Sequence, residues 1–322
     1  MSFLLFLAPT GWGKTQKIIE WHREREETIV YLSPLRALCD EFKMRVKDER
    51  RVFSFSENEE FDRLPPKSLV IATFEKLGLH RLEILIEKKC LFILDEFHLV
   101  YLWGDSFRPL LFEMWMCLAT QQAQVIGMTA TLSSELRERI CLDLENNFTE
   151  SYCFDQGVNL LKKNPKTISI YPNKKWLNCE LMTSMKKRKK PVLLFVAYRQ
   201  EVEGWLQWAR NRGIAAIGCV GGEAHRFSSL VHSGQWQLIV ATTVISHGVN
   251  LPSVEAVFIS FFLHDREFWT QMVGRAGRRG EVFELHHMNY QELSRRKRWT
   301  HWSQLYLRFI RNSCFQKIAA MI

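Results

Sequence analysis

Residues 8–15 read Ala8-Pro9-Thr10-Gly11-Trp12-Gly13-Lys14-Thr15, directly behind an apolar run and ahead of an amphipathic stretch starting Gln16-Lys17-Ile18-Ile19. Glycines between a strand and a helix let successive backbone N–H groups curl around an anion, and the helix N-terminus adds partial positive charge. Thr10, Gly11 and Gly13 would shape that cradle, Lys14 would reach the β and γ phosphates of a nucleotide, and Thr15 would hold Mg²⁺. The cation also needs a carboxylate. Leu91-Phe92-Ile93-Leu94-Asp95-Glu96-Phe97-His98 offers Asp95 for Mg²⁺ and Glu96 to orient or activate water, at the carboxyl edge where open α/β sheets place ligands. A third piece lies downstream, Gln271-Met272-Val273-Gly274-Arg275-Ala276-Gly277-Arg278-Arg279-Gly280. Arg275 and Arg278, one helical turn apart, would face one direction. Guanidinium there stabilises charge spreading over the phosphoryl oxygens, worth roughly a thousandfold or more in rate. Alone, that cluster equally suits an RNA-binding patch; with the loop and the acidic pair it points to a triphosphate site assembled from two domains.

Elements able to position these groups recur along the chain. Apolar runs at 3–7, 28–32, 68–72, 90–94 and 123–128 each precede a helical-looking segment, and the rhythm returns at 167–171, 191–196, 214–219, 237–241 and 254–259. Continuous apolar runs alternating with helices predict buried parallel strands in βαβ units. The expected fold class is therefore α/β, with two tandem domains of parallel sheet, the first opening on the phosphate loop, and a short helical C-terminal tail. The join is expected within 146–166, where Asn, Ser, Gly and Lys replace the periodic pattern. The expected domains are 1–160, 161–294 and a basic, aromatic tail over 295–322.

Composition agrees with a globular chain: 322 residues, 47% hydrophobic and 25% charged. The opening Ser2-Phe3-Leu4-Leu5-Phe6-Leu7-Ala8 is too short for a spanning helix and lacks the basic flank of a secretion signal. No membrane role is expected. The eight cysteines are scattered without a C-x-x-C pair, so a reducing compartment, the cytoplasm, is expected. Charge is uneven: residues 1–165 hold 21 basic and 25 acidic residues, net −4, and residues 166–322 hold 23 and 10, net +13. That asymmetry argues for a polyanionic partner contacted mainly by the second half. Lys186-Lys187-Arg188-Lys189-Lys190 and Arg295-Arg296-Lys297-Arg298 contribute most visibly, although either run alone suits a solvated surface.

Taken in order, the motifs resemble those of superfamily 2 helicases of the DExH type, nearest the Ski-like branch. They are APTGWGKT at 8–15, SPLRAL at 33–38, ATFEKL at 72–77, DEFHLV at 95–100, MTATL at 128–132, LLFVAYR at 193–199, ATTVISHGVNLP at 241–252 and QMVGRAGR at 271–278. The resemblance spans most of the chain and implies two RecA-like domains that close on ATP and step along a nucleic-acid strand. By match of motif it implies Lys14, Thr15, Asp95 and Glu96 in nucleotide and Mg²⁺ chemistry, with Gln271, Arg275 and Arg278 reaching across. His98, Thr129 and Thr131 would couple hydrolysis to movement. Pro34, Arg36, Thr73, Glu75, Thr242 and Thr243 would line the strand-binding face, while Gly248 and Asn250 would lie between nucleotide and strand. Gripping the backbone rather than the bases suits a motor that moves over any sequence.

Some departures bear on function. With the phosphate loop starting at residue 8, no upstream adenine-reading segment is expected, which leaves NTP selectivity open. Ser253 to Thr270 is short for the β-hairpin wedge usual in the Ski-like branch, and the winged-helix and ratchet domains of that branch are not expected. Only Cys39 and Cys90 lie between the loop and DEFH, which excludes the iron–sulfur variant. Trp12 either packs under its loop or faces the incoming base. His286-His287 suggests a metal site, but no third ligand stands at metal-like spacing, and an edge strand explains the pair better. Trp299 and Trp302 behind the second basic run would stack bases or, more commonly, pack in a core.

Two functions follow. The first is an ATP-dependent helicase or translocase on single-stranded or partly duplex DNA or RNA, monomeric, with a possible protein partner. The alternative is an ATP-driven nucleic-acid clamp or remodelling subunit without autonomous unwinding, acting with a partner such as a nuclease.

Overall fold

The computed structural model describes residues 2–54, 64–246, 251–262, 266–278 and 280–288. The chain divides into two compact units, Met1–Leu161 and Lys162–Ile322.

In the first unit, β1 (Ser2–Leu7) is followed by α1 (Lys14–Glu24), β2 (Ile29–Ser33), α2 (Arg36–Arg45), β3 (Val52–Ser54), β4 (Leu69–Thr73), α3 (Phe74–Leu77) and α4 (Leu79–Glu87). Then come β5 (Leu91–Asp95), α5 (His98–Gly104), α6 (Pro109–Thr120), β6 (Gln124–Thr129), α7 (Ser134–Asn147) and β7 (Glu150–Asp155). These strands form one sheet in the order β3-β4-β2-β5-β6-β1-β7, and every pairing is parallel. All residues of β2, β4 and β5 are buried. That follows from layers on both faces: Phe3, Phe92, Phe97 and Trp115 pack on one side, and Phe6, Ile18, Ile19, Tyr31 and Phe42 on the other. Such strands carry no polar face, which is why they read as unbroken apolar runs.

The second unit runs β8 (Thr167–Ile170), α8 (Lys174–Lys187), β9 (Val192–Phe195), α9 (Arg199–Arg210), β10 (Ala216–Cys219), α10 (Ala224–Leu230) and β11 (Leu238–Ala241). A 3₁₀ turn (Thr243–Ser246), β12 (Ala256–Ile259), α11 (Arg266–Val273) and β13 (Glu284–His287) follow. Its sheet is also parallel, ordered β10-β11-β9-β12-β13-β8. Leu177, Leu181, Leu194, Val202 and Phe258 belong to its core.

The ten expected strands are all present, as is a strand, β13, at His286-His287; two more were not foreseen, β3 and β7. β7 occupies part of the 146–166 span in which the join is expected and pairs with β1, Phe6 opposite Phe154; the two units divide after it, at Leu161. The edge placement expected for His286-His287 is corrected. β13 lies between β12 and β8, with both imidazoles buried. His286 stacks on Phe258 with centroids 4.2 Å apart, and its Nδ1 is 2.9 Å from the Tyr171 hydroxyl. The Lys186–Lys190 run ends α8, where Arg188 pairs with Glu284 and donates to the Glu255 carbonyl at 3.2 Å. The tail over 295–322, with its basic run and tryptophans, lies outside the described residues.

Candidate active site

The loop after β1 closes on itself before α1 begins. The Ala8 N–H donates to Thr129 O at 3.1 Å, the Trp12 N–H to Pro9 O at 3.2 Å, and the Lys17 N–H to Gly13 O at 3.0 Å. Gly11 (φ 80) and Gly13 (φ 109) adopt left-handed backbone that a side chain resists. A Cβ built on Gly13 would meet nothing within 4 Å, so the mouth of the loop is open. Thr10 is half-buried, and Lys14 and Thr15 open the first turn of α1. The Lys14 ammonium donates to the Ala8 carbonyl at 2.9 Å, which holds it over the loop.

Asp95 ends β5, two strands away. Its Oδ2 accepts from the Tyr31 hydroxyl at 2.6 Å, and its Oδ1 from the Glu96 N–H at 3.0 Å. Burial, then the adjacent Glu96 charge, pushes its carboxyl up to about 6, while the Tyr31 hydrogen bond and the Lys14 charge oppose the shift. A buried carboxylate whose charge is costly, near enough to the loop to feel the Lys14 charge, fits a hard cation with oxygen ligands.

Glu96 itself has left-handed backbone (φ 50), and the next N–H, from Phe97, donates to Met128 O at 2.9 Å. The turn thus presents both carboxylates at the sheet edge while remaining fastened to β6. His98, buried at the start of α5, joins the network. Its Nδ1 lies 2.8 Å from Thr129 Oγ1 and 3.5 Å from the Glu96 carboxylate; its Nε2 lies 3.4 Å from Thr131 Oγ1. The Thr129 hydroxyl donates to Thr131 O at 2.7 Å. Its one proton is therefore committed, and His98 Nδ1 carries the hydrogen that Thr129 accepts.

In the second unit Gln271 and Arg275 are buried. The expectation that Arg275 and Arg278 lie one turn apart on a helix is corrected. α11 ends at Val273, and the segment beyond it turns, with Gly277 at φ 68. A Cβ at Gly277 would collide with Lys163 and crowd Phe283, so glycine both takes the left-handed turn and permits the close approach. Arg278 folds back, its Nε donating to Gly274 O at 3.1 Å. Thr242 follows β11, its N–H bonded to Cys219 O at 3.2 Å, and Thr243 opens the 3₁₀ turn. Gly248 and Asn250 lie outside the described residues.

Known proteins resemble this chain in sequence and in fold. Residues 3–139 match the DEAD/DEAH box helicase family, and residues 173–280 match the helicase conserved C-terminal domain. The chain carries a DEAD/DEAH box helicase core. Its two units hold the N-terminal and C-terminal domains of such a core. It is 34% identical over 105 residues to DEAD-box ATP-dependent RNA helicase 5 of Arabidopsis thaliana, covering 31% of this chain and 20% of that one. It is 26% identical over 232 residues to the RecQ-like DNA helicase BLM of Xenopus laevis, covering 67% and 16%. The chain thus spans a fifth or less of the length of these two relatives. Its fold is like that of S. cerevisiae Dbp5 bound to RNA and ADP BeF3, with TM-score 0.66, 15% identity, and 94% and 82% of the two chains covered.

Within this helicase core, the segments expected to face the strand are tied by a residue that sequence reasoning missed. Arg108, just before α6, donates to the Pro34 carbonyl at 2.7 Å and to Glu75, from Nε at 2.7 Å and also from Nη2. Its guanidinium lies over Trp103, 5.2 Å from the ring centroid. One side chain thus links the 33–38 and 72–77 segments. Thr73 is engaged locally, its hydroxyl accepting from the Lys76 N–H at 3.4 Å as the cap of α3. Arg36 remains exposed, 3.7 Å from Asp40. Tyr31 was the second omission. A tyrosine inside an apolar strand needs a partner for its hydroxyl, which was the available signal.

Proposed function

We propose that this chain hydrolyses ATP with Mg²⁺ and couples that cycle to movement along single-stranded or partly duplex nucleic acid. The observation carrying this is the meeting, at the carboxyl edge of one sheet, of the open glycine loop bearing Lys14 with the buried Asp95 and its neighbour Glu96. Thr15 and Asp95 would hold Mg²⁺, which when bound neutralises charge on the phosphate oxygens. Thr10, Gly11, Gly13 and Lys14 bind the triphosphate, and Glu96 positions the attacking water. By motif match, Gln271, Arg275 and Arg278 stabilise the charge that develops on transfer. His98, Thr129 and Thr131 form the connected group that relays the nucleotide state. Pro34, Arg36, Thr73, Glu75, Thr242 and Thr243 are assigned to strand contact, and Gly248 and Asn250 to the segment between nucleotide and strand. The Ski-like affinity rests on motif wording alone, and cytoplasmic placement on the scattered thiols.

Lys14→Ala and Glu96→Gln are each expected to abolish turnover while strand binding persists; full ATPase in either variant would refute the site. Stimulation by matched DNA and RNA oligonucleotides at fixed salt identifies the strand, since backbone contacts leave the 2′-OH open. One observation favours the clamp reading. β12 ends at Ile259 and α11 begins at Arg266, which leaves little chain for a wedge hairpin. The clamp predicts strand-stimulated ATPase without strand displacement by the purified chain; the motor predicts both.

A further inference from the structure

Trp12 stands between the two left-handed glycines of the phosphate loop, where a bulky side chain contributes nothing to anion binding. Its ring meets Phe6 edge-on, centroids 5.1 Å apart, and lies 6.3 Å from Phe154. Phe154 is in turn stacked on Phe6 at 4.9 Å with an interplanar angle of 23°. Phe6 and Phe154 are register partners on β1 and β7. Phe6 is buried, yet Trp12 is 41% exposed and Phe154 40%. Tyr152, on the same side of β7 as Phe154, is more exposed still. Trp12 and Phe154 thus form a shelf with a buried floor, Phe6, and π surface left in water.

Position decides what the shelf can take. In the sheet, β1 has β6 and then β5 on one side and β7 on the other. A triphosphate held by Lys14 and approached by Asp95 would have its terminal phosphate on the β5 side. Its ribose and base would then extend toward β7, where Trp12 and Phe154 lie. We propose that Trp12 and Phe154 form a stacking surface for the base of the bound nucleoside triphosphate. This deepens the reading of the loop as a triphosphate site and rests on it. A π face accepts any base, so the shelf contributes affinity with little discrimination among NTPs, favouring purines by contact area.

The test compares ligands with and without a base. The full chain with Mg²⁺ is titrated calorimetrically with a non-hydrolysable ATP analogue and with inorganic tripolyphosphate. Trp12→Ala is expected to weaken the analogue roughly tenfold, as loss of one base–aromatic stack implies, and to leave tripolyphosphate unchanged. Trp12→Phe is expected to restore most of the affinity, and Phe154→Ala to act in the same direction as Trp12→Ala. Equal loss for both ligands, or no loss for either, overturns the shelf while the phosphate loop stands. Should Trp12→Ala fail to fold, Phe154→Ala on the exposed edge strand decides by the same comparison. Binding of neither ligand by the unaltered chain overturns the triphosphate site, and the shelf with it.

Discussion

The Tyr31 hydroxyl donates a 2.6 Å hydrogen bond to Oδ2 of Asp95, so the carboxylate ending β5 is steadied from the adjacent strand β2. That bond favours the ionised form and opposes the effects of burial and Glu96. Tyr31→Phe is therefore expected to raise the Asp95 carboxyl further above about 6. A hydrogen bond worth about 1 kcal/mol corresponds to roughly 0.7 pH unit. Affinity for Mg²⁺–nucleotide, measured from pH 5.5 to 8, is expected to show its acidic falloff displaced upward; an unmoved profile would count against the coupling.

The raised Asp95 carboxyl also has a consequence for the chain without nucleotide. Between the ordinary value near 3.8 and the folded value of about 6, the folded state holds a proton that the unfolded state has released. Stability therefore falls as pH rises through that window and stays low above it. Asp95→Asn removes the penalty and is expected to be more stable than the parent at pH 7.5, by on the order of 1–3 kcal/mol, with the gain gone at pH 4. Thermal unfolding across that range provides the check, and a gain independent of pH would contradict it.

Thr129→Val keeps the shape of the side chain but removes both the acceptor for His98 Nδ1–H and the donor to Thr131 O. Leaving buried polar groups unsatisfied costs about 1–3 kcal/mol. If the triad relays nucleotide state, strand-stimulated turnover falls by more than nucleotide affinity does. Parallel losses in the two measurements would reduce the triad to a structural brace.

Arg108→Ala releases the Pro34 carbonyl and Glu75 together. Strand affinity is expected to drop while its dependence on salt keeps the same slope, because Arg108 is engaged with protein groups rather than with phosphate. Loss of a direct phosphate contact would instead lower the slope by about 1. Titrations at several salt concentrations distinguish the two.

Gly127, inside β6, faces Phe3 and Phe97, whose ring atoms would lie 2.8 Å and 2.9 Å from an added Cβ. Gly127→Ala is expected to destabilise the first unit by about 1–3 kcal/mol through overpacking, measured by denaturant unfolding.

Much of this was legible in the residues because β2, β4 and β5 are covered on both faces and so cannot alternate. β7 was not legible. Its sequence, Glu150-Ser151-Tyr152-Cys153-Phe154-Asp155, is exposed throughout, and only the ladder to the far end of the chain at β1 makes it a strand. β13 was legible as a strand but not as an interior one: Glu284 and the two histidines look like edge residues, yet the Tyr171 hydroxyl and the Phe258 ring hold His286 in the interior. The phosphate loop and the acidic pair were local in sequence and therefore visible. Arg108 was not, since its partners stand 33 and 74 positions away. The helix expected to run through Arg278 stops at Val273, and the turn beyond it passes a glycine whose close neighbours only the folded chain reveals.

The left-handed backbone at Glu96 governs how an arrested form of this protein can be made. That conformation costs an ordinary L-residue on the order of 1–2 kcal/mol, and glycine is spared it. Glycine at position 96 would thus relieve the peptide as well as delete the carboxylate, and a β-branched replacement would strain it further. Glutamine keeps length, branching and torsional preference and changes only the protonatable oxygen. It is the substitution whose silence reports on chemistry alone.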